Sequence, residues 1–140
     1  LQKSLCVFSF PHSGTAYSQD FINSSKLELF ELRRSEDCYV DELFSSCKEY
    51  GSPLIKANFP RALIDVNREP YEIDPEMFFD SIPSFVNSTS KKVALGFGTI
   101  AKVVSGGNYI YKKHMPWSEA EKRIEIKIII YFKVVSFVSI

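Results

Sequence analysis

The stretch Leu5-Cys6-Val7-Phe8-Ser9-Phe10-Pro11-His12-Ser13-Gly14-Thr15 predicts the first strand of this chain and the loop that follows it. Residues 5–10 form a compact apolar run, and a Pro-His-Ser-Gly turn ends it, which is typical of a buried strand. Open α/β sheets place their binding sites at the carboxyl ends of such strands. His12 is therefore a candidate metal ligand, although a lone histidine in a loop is more often a surface or hydrogen-bonding residue.

Further along the chain, apolar runs alternate with helical spacing, which predicts an α/β fold with a mixed sheet and flanking helices. We expect the sheet to include residues 5–10, 64–66 and 93–97. The other predicted elements are a helix over 37–50, short strands over 53–59, 62–66 and 100–104, a hairpin strand over 109–111, and a helix from 117 to at least 124 capped by Ser118.

Composition describes an ordinary globular chain of 140 residues, the usual length of one domain, with 45% hydrophobic and 24% charged residues. Lys plus Arg and Asp plus Glu both number 17, so no overall charge favours a nucleic-acid or membrane partner. Three cysteines without CxxC spacing argue against a disulfide framework and a zinc knuckle. No cleavage site follows the first apolar run, so we expect a cytoplasmic location.

Acidic residues cluster where the helix over 37–50 is predicted to begin. Asp37 and Asp41 lie four residues apart, and Glu36 precedes them. One interpretation is structural, since Asp37 suits the N-cap and negative charge suits the helix dipole. The other is that one helical face supplies a carboxylate to a metal ion held by His12.

Two arginines flank the apolar segment 62–66. Arg61 precedes it, and Asn67-Arg68 follows it, so two guanidinium groups and an amide converge at one sheet edge. The planar fork of arginine matches both oxygens of a carboxylate, which favours an acidic substrate. The alternative is a structural Arg68 paired with Asp65 or Glu69.

The last stretch, 126–140, is almost entirely apolar, with only Lys127 and Lys133 carrying charge. It is shorter than the roughly 20 residues of a membrane-spanning helix. Its β-branched content favours a strand or an aggregation-prone tail. We therefore divide the chain into a domain over 1–125 and an atypical apolar tail over 126–140.

Three motifs in this order resemble the N-formylglutamate amidohydrolase family. They are the segment 9–15, the acidic cluster 36–43, and above all Phe59-Pro60-Arg61-Ala62-Leu63-Ile64-Asp65-Val66-Asn67-Arg68-Glu69-Pro70. Segments 73–78 and 96–100 also look like the family, so the resemblance covers roughly 5–124. It implies an architecture similar to zinc-dependent carboxypeptidases and aspartoacylases, and hydrolysis of N-formylglutamate to formate and glutamate in histidine degradation.

The resemblance also implies roles for particular residues. His12 would bind zinc, Asn67 and Arg68 would clamp the carboxylate of a small acidic N-acyl amino acid, and Arg61 would polarise the scissile carbonyl. The related peptidases take their acidic ligand three residues after the histidine, where this chain has Thr15. The acidic zinc ligand must then come from elsewhere in the chain, and we assign Asp41 to that role.

The family's later Cys-His-Ser segment does not occur after residue 124, which predicts a truncated domain with its C-terminal part missing and an impaired enzyme. The alternative is an inactive fragment, or a non-enzymatic module that binds acidic amino acids through Arg61 and Arg68. The sequence leaves the oligomeric state open.

Overall fold

The computed structural model describes residues 3–129 and 131 of the chain. Short helices and strands are joined there by long irregular segments. The strands and α-helices follow the order β1 (Phe8–Phe10), α1 (Gln19–Ser24), α2 (Leu29–Leu32), α3 (Val40–Leu43), β2 (Leu54–Lys56), α4 (Lys91–Ala94) and α5 (Trp117–Arg123). Single 3₁₀ turns cover Arg33–Ser35, Ser45–Lys48 and Pro75–Met77, and a π-helical segment, Ile124–Ile129, continues α5.

Strands β1 and β2 pair in parallel, with Phe8 opposite Leu54 and Phe10 opposite Lys56. The α/β class and the strands predicted within 5–10 and 53–59 are confirmed. The mixed sheet is wrong for the described residues, where the sheet is parallel and two-stranded. Because parallel strands end at the same edge, the loops that follow β1 and β2 emerge side by side.

The segment 62–66 is buried as predicted, but it is not a strand. The amides of Leu63 and Ile64 donate to the carbonyl of Pro60, so the backbone turns, and the Asp65 amide donates to the Thr99 carbonyl. Ile64 is fully buried. The apolar pattern thus marked the core correctly, while the backbone hydrogen bonds that define a ladder are absent from this segment.

The strand predicted over 93–97 is also wrong, because helix α4 occupies its first half. Ser90 caps this helix through a hydrogen bond from the Val93 amide to Ser90 Oγ, and Gly96 adopts φ +80° just beyond its end. A serine cap followed by Lys-Lys-Val-Ala favours a helix, which the strand prediction, based on apolar residues alone, overlooked.

Three other predictions hold in part. The helix over 37–50 is realised as α3 followed by a 3₁₀ turn, with Tyr39 at φ 61° before it. Of the hairpin around Gly106 and Gly107 only a single antiparallel bridge between Val103 and Tyr109 forms, so the strands predicted over 100–104 and 109–111 are wrong. Helix α5 is confirmed, but its N-cap is Pro116 without a side-chain bond rather than Ser118.

The main core packs the end of the chain against the sheet. Ile124, Ile128 and Tyr131 are buried with Ile55 and Ile64. Tyr131 Oη lies 2.7 Å from Ser9 Oγ on β1. The strand interpretation of 126–140 is wrong for 126–129 and Tyr131, which are helical, and residues 130 and 132–140 lie outside the described residues. The division at residue 125 stays a prediction.

None of the helices within the described residues has the length and apolar character that a bilayer crossing requires.

Truncating Ile128 should therefore cost stability, although it belongs to the stretch that the sequence set apart as an atypical apolar tail. Ile128→Ala is expected to lower the free energy of unfolding by about 2–5 kcal/mol, because it leaves a cavity in the core. Ile126, which is 44% exposed, is the control, and Ile126→Ala should cost well under half as much. Urea unfolding followed by tryptophan fluorescence measures both, and equal losses would contradict this packing.

Candidate functional site

The loops after the two strands carry the polar residues of the site. His12 lies two residues beyond β1, and Arg61 and Asp65 follow β2. A third segment joins them, because the Asp37 amide donates to the His12 carbonyl at 3.0 Å and Ser13 Oγ donates to the Asp37 carbonyl at 2.9 Å. The site is thus assembled from three distant parts of the chain at the carboxyl edge of the sheet.

The His12 ring lies between two carboxylates. Its Nε2 is 2.8 Å from Asp65 Oδ1, and its Nδ1 is 3.3 Å from Asp37 Oδ2. His12 and Asp65 are both buried, whereas the Asp37 side chain is 51% exposed. We assign the proton to Nε2, which makes the shorter contact and donates to Asp65, so that Nδ1 faces Asp37 on the solvent side.

Asp65 connects the histidine to the arginines. Asp65 Oδ1 also accepts a hydrogen bond from the backbone N–H of Asn67 at 2.9 Å, and Asp65 Oδ2 accepts one from Arg61 Nε at 3.0 Å. Burial raises the pKa of this carboxyl, but the hydrogen bonds from His12 and from the Asn67 backbone and the charge of Arg61 outweigh it, so the pKa of Asp65 falls to about 2. Asp65 is therefore a fixed negative charge that orients both His12 and Arg61.

Arg68 is only partly engaged. Its Nε lies 3.6 Å from Asp65 Oδ2, beyond hydrogen-bond distance, and this buried nitrogen has no hydrogen-bond partner among the described residues. A buried polar group without a partner costs free energy that a ligand can recover. Arg68 is therefore held near the site with its donors available to an anion.

A cleft of about 310 Å³ opens beside this network, at the lower end of the range for small-molecule sites. His12 does not line it, but both of its carboxylate partners do. The lining residues are Arg34, Ser35, Glu36, Asp37, Arg61, Asp65, Arg68, Lys92, Phe97, Gly98, Ala101, Val103 and Ser105.

The other predicted residues lie elsewhere. Asp41 does not line the cleft, and its Oδ2 accepts Lys56 Nζ at 2.8 Å. Hydrogen bonding to Lys56 keeps the pKa of Asp41 below its usual value. Asn67 is exposed, and its backbone N–H donates a hydrogen bond to Asp65. His114, which was not among the predicted site residues, lines a larger cavity of about 730 Å³ between α1 and α5 that the His12 network does not line.

Two side chains of this network suit a zinc ion. Zinc takes nitrogen and oxygen ligands at roughly 2.0–2.2 Å, so two ligands of one tetrahedral ion lie about 3.3–3.5 Å apart. The Nδ1 of His12 and Oδ2 of Asp37 have that spacing, at 3.3 Å. A metal-binding histidine commonly donates its other N–H to a carboxylate, as His12 does to Asp65. Within 3–129 and 131, no three His, Cys, Asp or Glu side chains form a complete metal-binding group.

The sequence did not identify Asp65 as the link between the histidine and the arginines. Its signal was the spacing Asp65-Val66-Asn67-Arg68, in which an aspartate commonly accepts the amide two residues later. The sequence had no local signal for Arg34 and Lys92, because only the fold brings them to the cleft.

Comparison with known proteins gives one consistent result. Residues 4–127 match the N-formylglutamate amidohydrolase family. The crystal structure of N-formylglutamate amidohydrolase from Ralstonia eutropha JMP134 is similar, with a TM-score of 0.86 and 32% sequence identity. That alignment covers 95% of this chain and 46% of the neighbour, so the chain spans about half the neighbour's length. No match is found among curated proteins.

Proposed function

Because the chain belongs to the N-formylglutamate amidohydrolase family, we propose that it carries the substrate-binding and part of the metal-binding machinery for hydrolysing N-formylglutamate. Water cleaves the formyl C–N bond, which gives formate and glutamate. The observation that carries the proposal is the continuous network of Asp37, His12, Asp65 and Arg61 beside the unsatisfied Arg68, with four of these five residues lining one cleft.

The arginines divide the work of holding the substrate. Arg68, with donors available, binds the α-carboxylate, because a guanidinium group pairs with both carboxylate oxygens. Arg61 is fixed through Nε by Asp65, so its terminal nitrogens have one preferred direction. They donate to the formyl oxygen, where negative charge develops during hydrolysis, and pre-positioned donors of this kind lower the barrier.

The metal-binding residues in this proposal are His12 and Asp37. Asp37 replaces the Asp41 of the sequence-based assignment, because Asp41 is engaged by Lys56 while Asp37 lies 3.3 Å from His12 Nδ1. A zinc ion held there would supply Lewis-acid activation of the formyl carbonyl and of water. Asp65 holds the ring of His12 in the orientation that directs Nδ1 to Asp37.

Zinc binding tests this assignment without relying on turnover. His12→Ala and Asp37→Asn should each weaken zinc binding at least about tenfold, as loss of ligands does, in competition with a chromophoric chelator. Asp41→Asn is the matched control, since it removes an equal charge nearby and should leave zinc affinity within about twofold. If Asp41→Asn has the larger effect, Asp41 is the acidic ligand and Asp37 is not.

Formate release from N-formylglutamate tests the activity itself. Two protein ligands hold zinc weakly, and a catalytic zinc usually has three. We therefore expect the 140-residue chain to hydrolyse N-formylglutamate more slowly than the Ralstonia eutropha enzyme. His12→Ala should abolish the activity that remains. A chain that binds N-formylglutamate and releases no formate with zinc would favour the alternative, a module that binds acidic amino acids.

A further inference from the structure

Two cations of the cleft have no acidic partner. Each cleft carboxylate is already engaged, with Glu36 bound to Arg33 and Asp65 to Arg61, and Asp37 beside His12. Arg34 and Lys92, by contrast, form no ion pair or side-chain hydrogen bond with any residue in the described part of the chain. The cleft therefore keeps positive charge beyond what its own carboxylates balance.

Arg34 lies beside Gly106 at the edge of the cleft. The neighbouring Arg33 turns to Glu36, with Nε 3.0 Å from Oε2. The Arg34 guanidinium lies over Gly106, where a Cβ would meet its atoms at 3.0–3.4 Å. The Ser105 amide also donates to Ser35 Oγ at 3.3 Å. Glycine at 106 thus leaves room for the guanidinium beside the cleft.

Lys92 comes from a part of the sequence far from Arg34. It lies in α4, and the amide of Phe97, another cleft residue, donates to the Lys92 carbonyl at 2.8 Å. The preceding lysine, Lys91, is also exposed but does not line the cleft. The short helix therefore brings one of two adjacent lysines to the site.

We propose that Arg34 and Lys92 bind a second carboxylate of the substrate, on its side chain, while Arg68 binds the α-carboxylate. The site then selects N-acyl amino acids with an acidic side chain over those with a neutral one. This assignment deepens the proposed function and rests on it. Since both cations are solvent-exposed, water and salt screen them, so each contributes a modest factor in affinity, about three- to tenfold.

The test compares two ligands that differ only in the second carboxylate. N-formylglutamate and N-formylglutamine are titrated by calorimetry into the 140-residue chain with EDTA, which suppresses metal-dependent turnover. The unaltered chain should bind N-formylglutamate at least tenfold more tightly. Arg34→Gln and Lys92→Gln should each remove a factor of about three to ten from that preference, leaving the N-formylglutamine affinity unchanged. The control Lys91→Gln should keep the full preference.

Other outcomes are decisive as well. The assignment is overturned if both variants keep the preference, if they weaken both ligands equally, or if the unaltered chain binds neither ligand. Formate release from parallel samples with zinc separates the two proposals. Preferential binding without formate supports the carboxylate assignment and refutes the hydrolase, whereas equal hydrolysis of both compounds supports the hydrolase and refutes the assignment.

Discussion

Asp65→Asn is expected to lower the free energy of unfolding by about 3–5 kcal/mol, the usual cost of removing one partner from a buried charged network. The carboxylate is 5% exposed and accepts hydrogen bonds from His12, Arg61 and the Asn67 amide. Asparagine has one acceptor oxygen and no charge, so Arg61 and Arg68 lose the anion between them. An amide nitrogen would also face at least one existing donor.

The control for this prediction is Asp41→Asn, which removes the same charge from a partly exposed pair. The Lys56 side chain is 49% exposed and that of Asp41 is 11% exposed, and pairs that water reaches in this way are worth about 0–1 kcal/mol. Urea unfolding at neutral pH, followed through the single tryptophan, gives both values. If Asp65→Asn costs no more than Asp41→Asn, Asp65 does not hold the site together as described.

Gly14→Ala is expected to destabilise the chain by at least about 3 kcal/mol, the upper range for overpacking, and to disrupt His12. A Cβ at position 14 would overlap the Phe59 carbonyl oxygen and stand 2.7 Å from that of Ala57. Both obstacles are backbone atoms and cannot rotate away. The two loops would have to separate, which would break the 2.9 Å hydrogen bond from Ala16 to Asn58.

Gly107→Ala is the matched substitution for comparison. Nothing lies within 4 Å of a Cβ there, and φ is +84°, so the cost is the backbone penalty of about 1–2 kcal/mol alone. Thermal unfolding and zinc affinity distinguish the two glycines. Gly14→Ala should impair both properties, and Gly107→Ala only the first. Equal effects on both would show that the loops of β1 and β2 do not meet at Gly14.

Local patterns predicted the elements that local chemistry encodes. The apolar run that ends at Pro11 and the one that follows Pro53 form the two strands, because the prolines mark the limits of these segments. The Gly106-Gly107 pair became a turn, because both residues adopt positive φ. Helix α5 begins at Trp117, where the sequence predicted it, although Ser118 is not its cap.

The failures have a common physical reason. An apolar segment does not specify which partner takes its backbone hydrogen bonds. Residues 62–66 are largely buried, whereas Ala94 and Leu95 in 93–97 are exposed. Pro60 and Thr99 take those of the first segment, and Ser90 converts part of the second into α4. Likewise, the apolar character of 126–129 reflects packing of Ile128 in the core, not a strand.

The residues alone indicated the chemistry of the site, because His12, Arg61 and Arg68 carry groups suited to metal and carboxylate binding wherever the chain places them. Only the tertiary structure decided which of these groups contact one another. Asp37 rather than Asp41 lies beside His12, and Asp65, 53 residues after His12, connects the ring to Arg61. Hydrogen bonds and charge pairs act over a few ångströms, and only the folded chain brings residues far apart in sequence to such distances.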